Sequence, residues 1–310
     1  MIAGYIRNKW KAVSGTRPGK SPDANEPPLR AELFSADQME QHGEFLAGMH
    51  RDVRARGADR LLPRLADNER VLLQASRLLT EAIEAGRRIA PAGEWLLDNF
   101  YLVQEQIRIA RLHLPRRYSW ELPRLTTGSS AGFPRVYDIA LEAISHGDGR
   151  IDAEGLACFI AAYQRSTTLT LGELWAVPIM LRLALIENLR RVAARLTADQ
   201  TDRNLADTWA ARIADAVEKD AKNLILVVAD MARSKPPMHS AFVAEFARRV
   251  QGRHHAQALP LTWIDQSLAD SGLTTAQLVQ AESQQQAADQ LSVGNSIGSL
   301  RLLGKLDWRE

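Results

Sequence analysis

The stretch TLGELWAVPIMLRLALIENLRR, residues 170–191, decides the fold class. Thr170 and Glu173 have the spacing of a reciprocal helix cap, in which the hydroxyl accepts from a free backbone N–H and the carboxylate reaches back. Behind them Trp175, Ile179, Leu183 and Ile186 recur at i, i+4, i+8 and i+11, one face of an α-helix. Pro178 lacks a backbone donor and crowds the carbonyl four residues back, so a bend is expected there. The stretch reads as a central helix, capped by Thr170 and Glu173, with those four apolar side chains facing a core.

Outward from it the same signals recur. Ser35-Ala-Asp-Gln38, Thr197-Ala-Asp-Gln200 and Thr274-Thr-Ala-Gln277 repeat the cap spacing. Val71, Ala75, Leu78, Leu79 and Ile83 make one apolar stripe; Leu96, Phe100, Val103 and Ile107 make a second; Trp209, Ile213, Val217, Leu224, Val228 and Met231 make a third. Asp148-Gly149 sits between helical patterns and reads as an interhelix turn, not a hairpin. The expected fold is all-α, an irregular multi-helix bundle of about ten helices. Residues 1–28 read as a flexible, disordered basic tail of net charge +3, rich in Gly, Ser and Pro near its end. Such an arm is either simply solvated or drawn to anionic lipid headgroups. Residues 29–310 form the helical region, with soft boundaries expected near 115–134 and 233–238, where Pro and Gly cluster.

Composition narrows the function classes. The chain has 310 residues, 45% hydrophobic and 25% charged, values of an ordinary globular protein. Its 39 basic and 37 acidic residues leave +2, without the basic excess of a nucleic-acid binder. Cys158 is the only cysteine, so neither an internal disulfide nor a cysteine zinc cluster can form. Arg7, Lys9 and Lys11 interrupt any signal-peptide run, and Glu173, Arg182 and Glu187 break the most apolar stretch. No transmembrane segment is expected, and the isolated chain is expected to be soluble and cytoplasmic.

Candidate chemistry is sparse. Residues 143–155 resemble a calcium loop, but Ile144 and Gly155 stand at positions one and twelve, where carboxylate oxygens are needed. Asp148 and Asp152 are expected instead to end one helix and start the next. His254-His255 project about 100° apart on a helix and share a metal poorly. Cys158 lies in an apolar helix and reads as a small core residue. Glu94 and Asp98 could pair as acid and base, but they also suit the first turns of a helix. Glu187 and Arg191 have the spacing of an exposed helix pair. No phosphate-binding Gly loop, no Asp-x-Asp and no Gln-x-x-Arg-Trp is present. No catalytic, cofactor-binding or metal-binding residue is assigned.

The blocks at Tyr163–Arg165, Leu169–Arg191 and Ala193–Leu196, with Pro91–Leu125, Pro134–Ala140, Leu259–Ile264, Ala281–Gln286 and Ser292–Leu303, together resemble the N-terminal region of bacterial cyclic β-1,2-glucan synthases. The resemblance covers about residues 29–310. It implies a large inner-membrane parent that builds, cyclises and trims a β-1,2-glucan from UDP-glucose. Glucosyl transfer and phosphorolysis would belong to transferase and phosphorylase modules beyond this stretch. The chain would then be a helical scaffold without cofactors, at the cytoplasmic face of the membrane, with those modules as partners. The alternative is a stand-alone all-α protein-interaction module. Leu300, Leu302, Leu303, Leu306 and Trp308 form an apolar run up to the last residues; it reads as a cut helix, a fragment end expected to self-associate.

Overall fold

The computed structural model describes residues 26–55, 57–114, 118–219, 223–251, 258–269 and 271–305. Among these are eleven α-helices and almost no strand, as expected of an all-α chain. They are α1 (Ala36–Met49), α2 (Leu61–Glu84), α3 (Pro91–Asp98), α4 (Phe100–His113), α5 (Arg135–His146), α6 (Ala153–Ser166), α7 (Leu171–Lys219), α8 (Leu224–Ser234), α9 (Ser240–Val250), α10 (Ala258–Ala269) and α11 (Thr275–Leu303). The exception to helix is a two-residue antiparallel ladder of β1 (Val53–Arg54) and β2 (Arg124–Leu125), with Val53 opposite Leu125. No helix among the described residues is long and apolar enough to cross a membrane.

The described chain divides into two compact units. The first comprises the residues up to Ser76, Trp95–Ala194 and the residues from Leu291. The second comprises Arg77–Glu94 and Arg195–Gln290. The chain passes between them inside helices, within α2, α3, α7 and α11, and not at the Pro- and Gly-rich loops. The described part of the 115–134 loop, residues 118–134, lies in the first unit. There the Arg124 guanidinium, buried and lowered in pKa by that burial, donates to the carbonyls of Gly132 (3.0 Å) and Ser119 (2.7 Å).

In the first unit α7 is enclosed on every side from Ile179 to Arg190, as a helix apolar over most of its circumference must be. Ile179, Leu183 and Ile186 are in that core. The cap forms: Glu173 N–H donates to Thr170 Oγ1 (3.3 Å), and Thr170 N–H donates to Glu173 Oε2 (2.9 Å). The helix continues through Pro178. Trp175 departs from the expectation and is 75% exposed. Glu173 turns inward instead, bound by buried Arg135, and Trp175 lies about 200° round the helix from it.

Beside α7, α1 packs against α6 over Leu46, Ala47, Ile139, Phe159, Tyr163 and Leu169. Gly43 permits that approach: a Cβ there would meet the Phe159 carbonyl oxygen at 2.7 Å. The α5–α6 turn runs through Asp148 (φ 47°) and Gly149 (φ 81°), and Asp152 caps α6 by accepting from Gly155 N–H (2.9 Å). In the second unit Trp209 and Ile213 of α7, Leu224, Val228 and Met231 of α8, Phe242 and Phe246 of α9, and Ile264 and Leu268 of α10 share one core.

Several local expectations change. The third stripe is split between α7 and α8, though both parts enter that same core. Thr197-Gln200 caps nothing: Thr197 lies inside α7, where neither Gly nor Pro stops the preceding turn. Cys158 is exposed, not buried. Glu26 and Pro27, assigned to the tail, are held by side chains of α2 and α7. Leu300 and Leu303 are buried and Leu302 is partly exposed, so the apolar run at the C-terminal end is not one open face; Leu306 and Trp308 lie outside the described residues. So do residues 1–25 and His254-His255.

Candidate functional site

Three polar clusters lie in the first unit, and none was visible as a sequence motif. The first is a buried relay. Asp138 of α5 accepts from Ser130 Oγ and from His50 Nε2 (3.0 Å). An ionised carboxylate only accepts, so Nε2 carries the His50 proton and Nδ1 accepts from the Tyr163 hydroxyl (3.1 Å). Beyond Tyr163, Arg135 donates through Nε to Glu173 Oε1 (2.5 Å), and through Nη2 to both Glu173 Oε2 (2.8 Å) and the Thr168 carbonyl (2.9 Å). Burial pushes the Tyr163 phenol up to about 12. Ser, His and Asp are all present, but Asp138 stands between the other two. His50 therefore cannot take the Ser130 proton, as a nucleophilic triad requires. The relay ties α1, α5, α6 and α7 together instead.

The second cluster surrounds Glu187. Its carboxylate accepts from Arg64 (2.5 and 2.8 Å), Arg190 (2.7 Å) and Arg191 (2.8 Å). Glu26 accepts from Arg64 (2.5 Å) and Arg190, and the Pro27 carbonyl accepts from Arg191 (3.1 Å). Burial alone would raise the Glu187 carboxyl, but Arg191, Arg64 and Arg190 hold it well below the usual carboxylate range. The Glu187–Arg191 pair, expected at the surface, is thus part of a five-residue cluster in which Glu187 and Arg190 are buried and Arg64, Arg191 and Glu26 half-buried. Only its i, i+4 spacing was readable, because Arg64 and Glu26 arrive from distant sequence.

The third cluster joins His42 of α1 to Glu142 and His146 of α5. His42 Nε2 is 2.9 Å and His146 Nε2 3.3 Å from the same Glu142 oxygen, Oε2. The other nitrogen of His146, Nδ1, is 2.7 Å from the Glu32 carbonyl. His42 Nδ1 is buried and has no partner. Phe34 stacks on His146 with ring centroids 3.8 Å apart, and Phe159 lies parallel to His42 at 6.1 Å. Burial pushes the Glu142 carboxyl up, but the adjoining His146 and His42 rings more than reverse this and hold it well below its usual range. The donor atoms of the three residues all lie within 4.8 Å of one another.

The residues singled out in the sequence lie apart from this third cluster. Thr170 and Glu173 touch the relay, whereas Ile179, Leu183 and Ile186 belong to the α7 core and Pro178 is half-buried beside them in the same helix. Glu94 and Asp98 are both exposed on α3. The one readable trace of the third cluster was Glu142-x-x-x-His146 on a helical pattern, with His42 a hundred residues away.

No family model matches the chain. The chain is similar to the cyclic beta-(1,2)-glucan synthase NdvB of Rhizobium meliloti (strain 1021), with 29% identity over 288 residues. The match covers 90% of this chain and 10% of that protein, so the chain spans about a tenth of the length of the relative it matches. The resemblance read from the sequence blocks is borne out as similarity to one segment of a much larger synthase.

Proposed function

We propose that this chain is the helical N-terminal module of a cyclic β-1,2-glucan synthase, in which it acts as a scaffold for the transferase and phosphorylase modules. The similarity over 288 residues carries the reading, because it runs through both units and is not confined to one motif. In this reading UDP-glucose is the donor of the whole enzyme, bound outside this chain, and the module lies at the cytoplasmic face of the inner membrane. The relay and the Glu187 cluster support a positioning role, since their charged groups are directed at one another and lock helices in place.

The test has two parts. The 310-residue chain, incubated with UDP-glucose and a β-1,2-glucan acceptor, should release no UDP. Expressed separately with the remainder of the synthase, it should co-purify with that remainder and restore glucan synthesis. Chain-dependent UDP release would overturn the non-catalytic reading. Full synthesis by the remainder alone would overturn the scaffold.

A further inference from the structure

We propose that His42, Glu142 and His146 bind one divalent transition-metal ion of the zinc class. The first argument is the tautomer of His146. A carbonyl only accepts, so the short contact from Nδ1 to the Glu32 carbonyl (2.7 Å) puts a proton on Nδ1. In the neutral ring Nε2 then presents its lone pair to Glu142 Oε2, 3.3 Å away. Two acceptors face each other, and a positive centre between them satisfies both. His42 Nε2 approaches the same oxygen at 2.9 Å, and no bond to Nδ1 holds that ring in the other tautomer.

The spacing fits as well. A tetrahedral ion with bonds of about 2.0–2.1 Å sets its ligands ~3.3 Å apart. The carboxylate oxygen lies 2.9 and 3.3 Å from the two imidazole nitrogens. The surroundings are those of a ligand set. A backbone carbonyl orients the His146 ring through its second nitrogen, the usual outer support of a metal-bound imidazole. Phe34 stacks on that ring. Two imidazoles and one carboxylate favour zinc and its neighbours over calcium or magnesium, which take oxygen ligands. They also leave a fourth position. The Glu142 side chain is 35% exposed, which gives the ion and a water molecule a way in. This site is independent of the scaffold reading and replaces the expectation of a metal-free chain.

The competing account is a proton at the same place, with His146 an imidazolium bound to Glu142. Zinc titration separates the two. The 310-residue chain, stripped with chelator and dialysed against micromolar Zn²⁺, should retain one equivalent by elemental analysis and melt at a higher temperature. Cobalt in place of zinc should give the visible absorption of a tetrahedral nitrogen–oxygen site. Glu142→Gln keeps the side-chain shape, and the double variant His42→Ala/His146→Ala removes both rings. Each should weaken zinc binding at least about tenfold. If the double variant fails to fold by circular dichroism, Glu142→Gln alone decides. No retained zinc, or a stoichiometry and affinity unchanged by Glu142→Gln, would overturn the site in favour of the imidazolium.

Discussion

At the scale of single residues, burial and charge sort the side chains that spacing alone groups together. Trp175, Ile179, Leu183 and Ile186 share one helical face in the sequence, but only the last three are buried. The cause is Glu173, which spacing identifies as a cap and the fold also uses as the partner of Arg135. Trp175→Ala should therefore cost less than about 0.5 kcal/mol, as at an exposed site. Ile186→Ala should cost about 2–5 kcal/mol by leaving a cavity. Denaturant melts of both variants check this, and equal losses would put Trp175 back in a core. Asp199 shows the opposite conflict. Burial, with the Glu282 carboxylate adding to it, raises the Asp199 carboxyl from 3.8 to about 6. A raised folded pKa favours the folded state fully below pH 3.8, and that contribution is lost as pH rises through 6. Asp199→Asn should thus melt higher than the native chain at pH 7. The gain should vanish below about pH 4. Melting temperatures across that range decide it, and a gain independent of pH would refute the burial argument.

At the scale of elements, helix starts and apolar stripes were legible, because capping and the 3.6-residue period are local. Ser35, Thr170 and Thr274 cap as read. What stays hidden is which helix meets which. Gly43 looks like a weak point in α1, since glycine is a poor helix former. In the structure it is the place where α1 closes on α6. Gly43→Ala gains helix propensity but drives a methyl group onto the Phe159 carbonyl oxygen (2.7 Å) and the Tyr163 nitrogen (3.2 Å), backbone atoms that cannot rotate away. The net loss should be about 1–3 kcal/mol. At Gly48, in the same helix, an added methyl group would meet nothing within 4 Å, so Gly48→Ala should be neutral or gain up to about 1 kcal/mol. Two variants with equal effects would mean that α1 does not approach α6 at Gly43. The histidine cluster was illegible for the same reason: the contact between α1 and α5 is not encoded in the spacing of either.

At the scale of the whole molecule, net charge near zero hid the way charge is arranged. The balance of 39 and 37 excludes a basic excess, but it gives no sign that Arg64, Arg190 and Arg191 converge on Glu187 and Glu26. In the second unit Arg203 and Ser240 converge on Glu282, and Arg248 and Arg249 on Glu245. For Glu187, Glu245 and Glu282 burial acts upward, yet their partners leave each carboxyl below the ordinary 4.5. A depressed folded pKa stabilises the folded state above the unfolded pKa, and that stability is lost as pH falls through the folded value. Apart from the Asp199 contribution, which fades as pH rises through 6, the chain should lose its melting temperature steeply below about pH 4, in both units. Glu187→Gln tests the largest cluster. At pH 7 it leaves three guanidiniums with one carboxylate, and breaking such a buried pair costs about 3–5 kcal/mol. As pH falls below 4.5 the native Glu187 begins to lose its own advantage, so the two melting curves should converge toward the acid limb. Curves that stay parallel down to about pH 2 would show that the loss comes from packing and not from the charge that the three arginines hold in place.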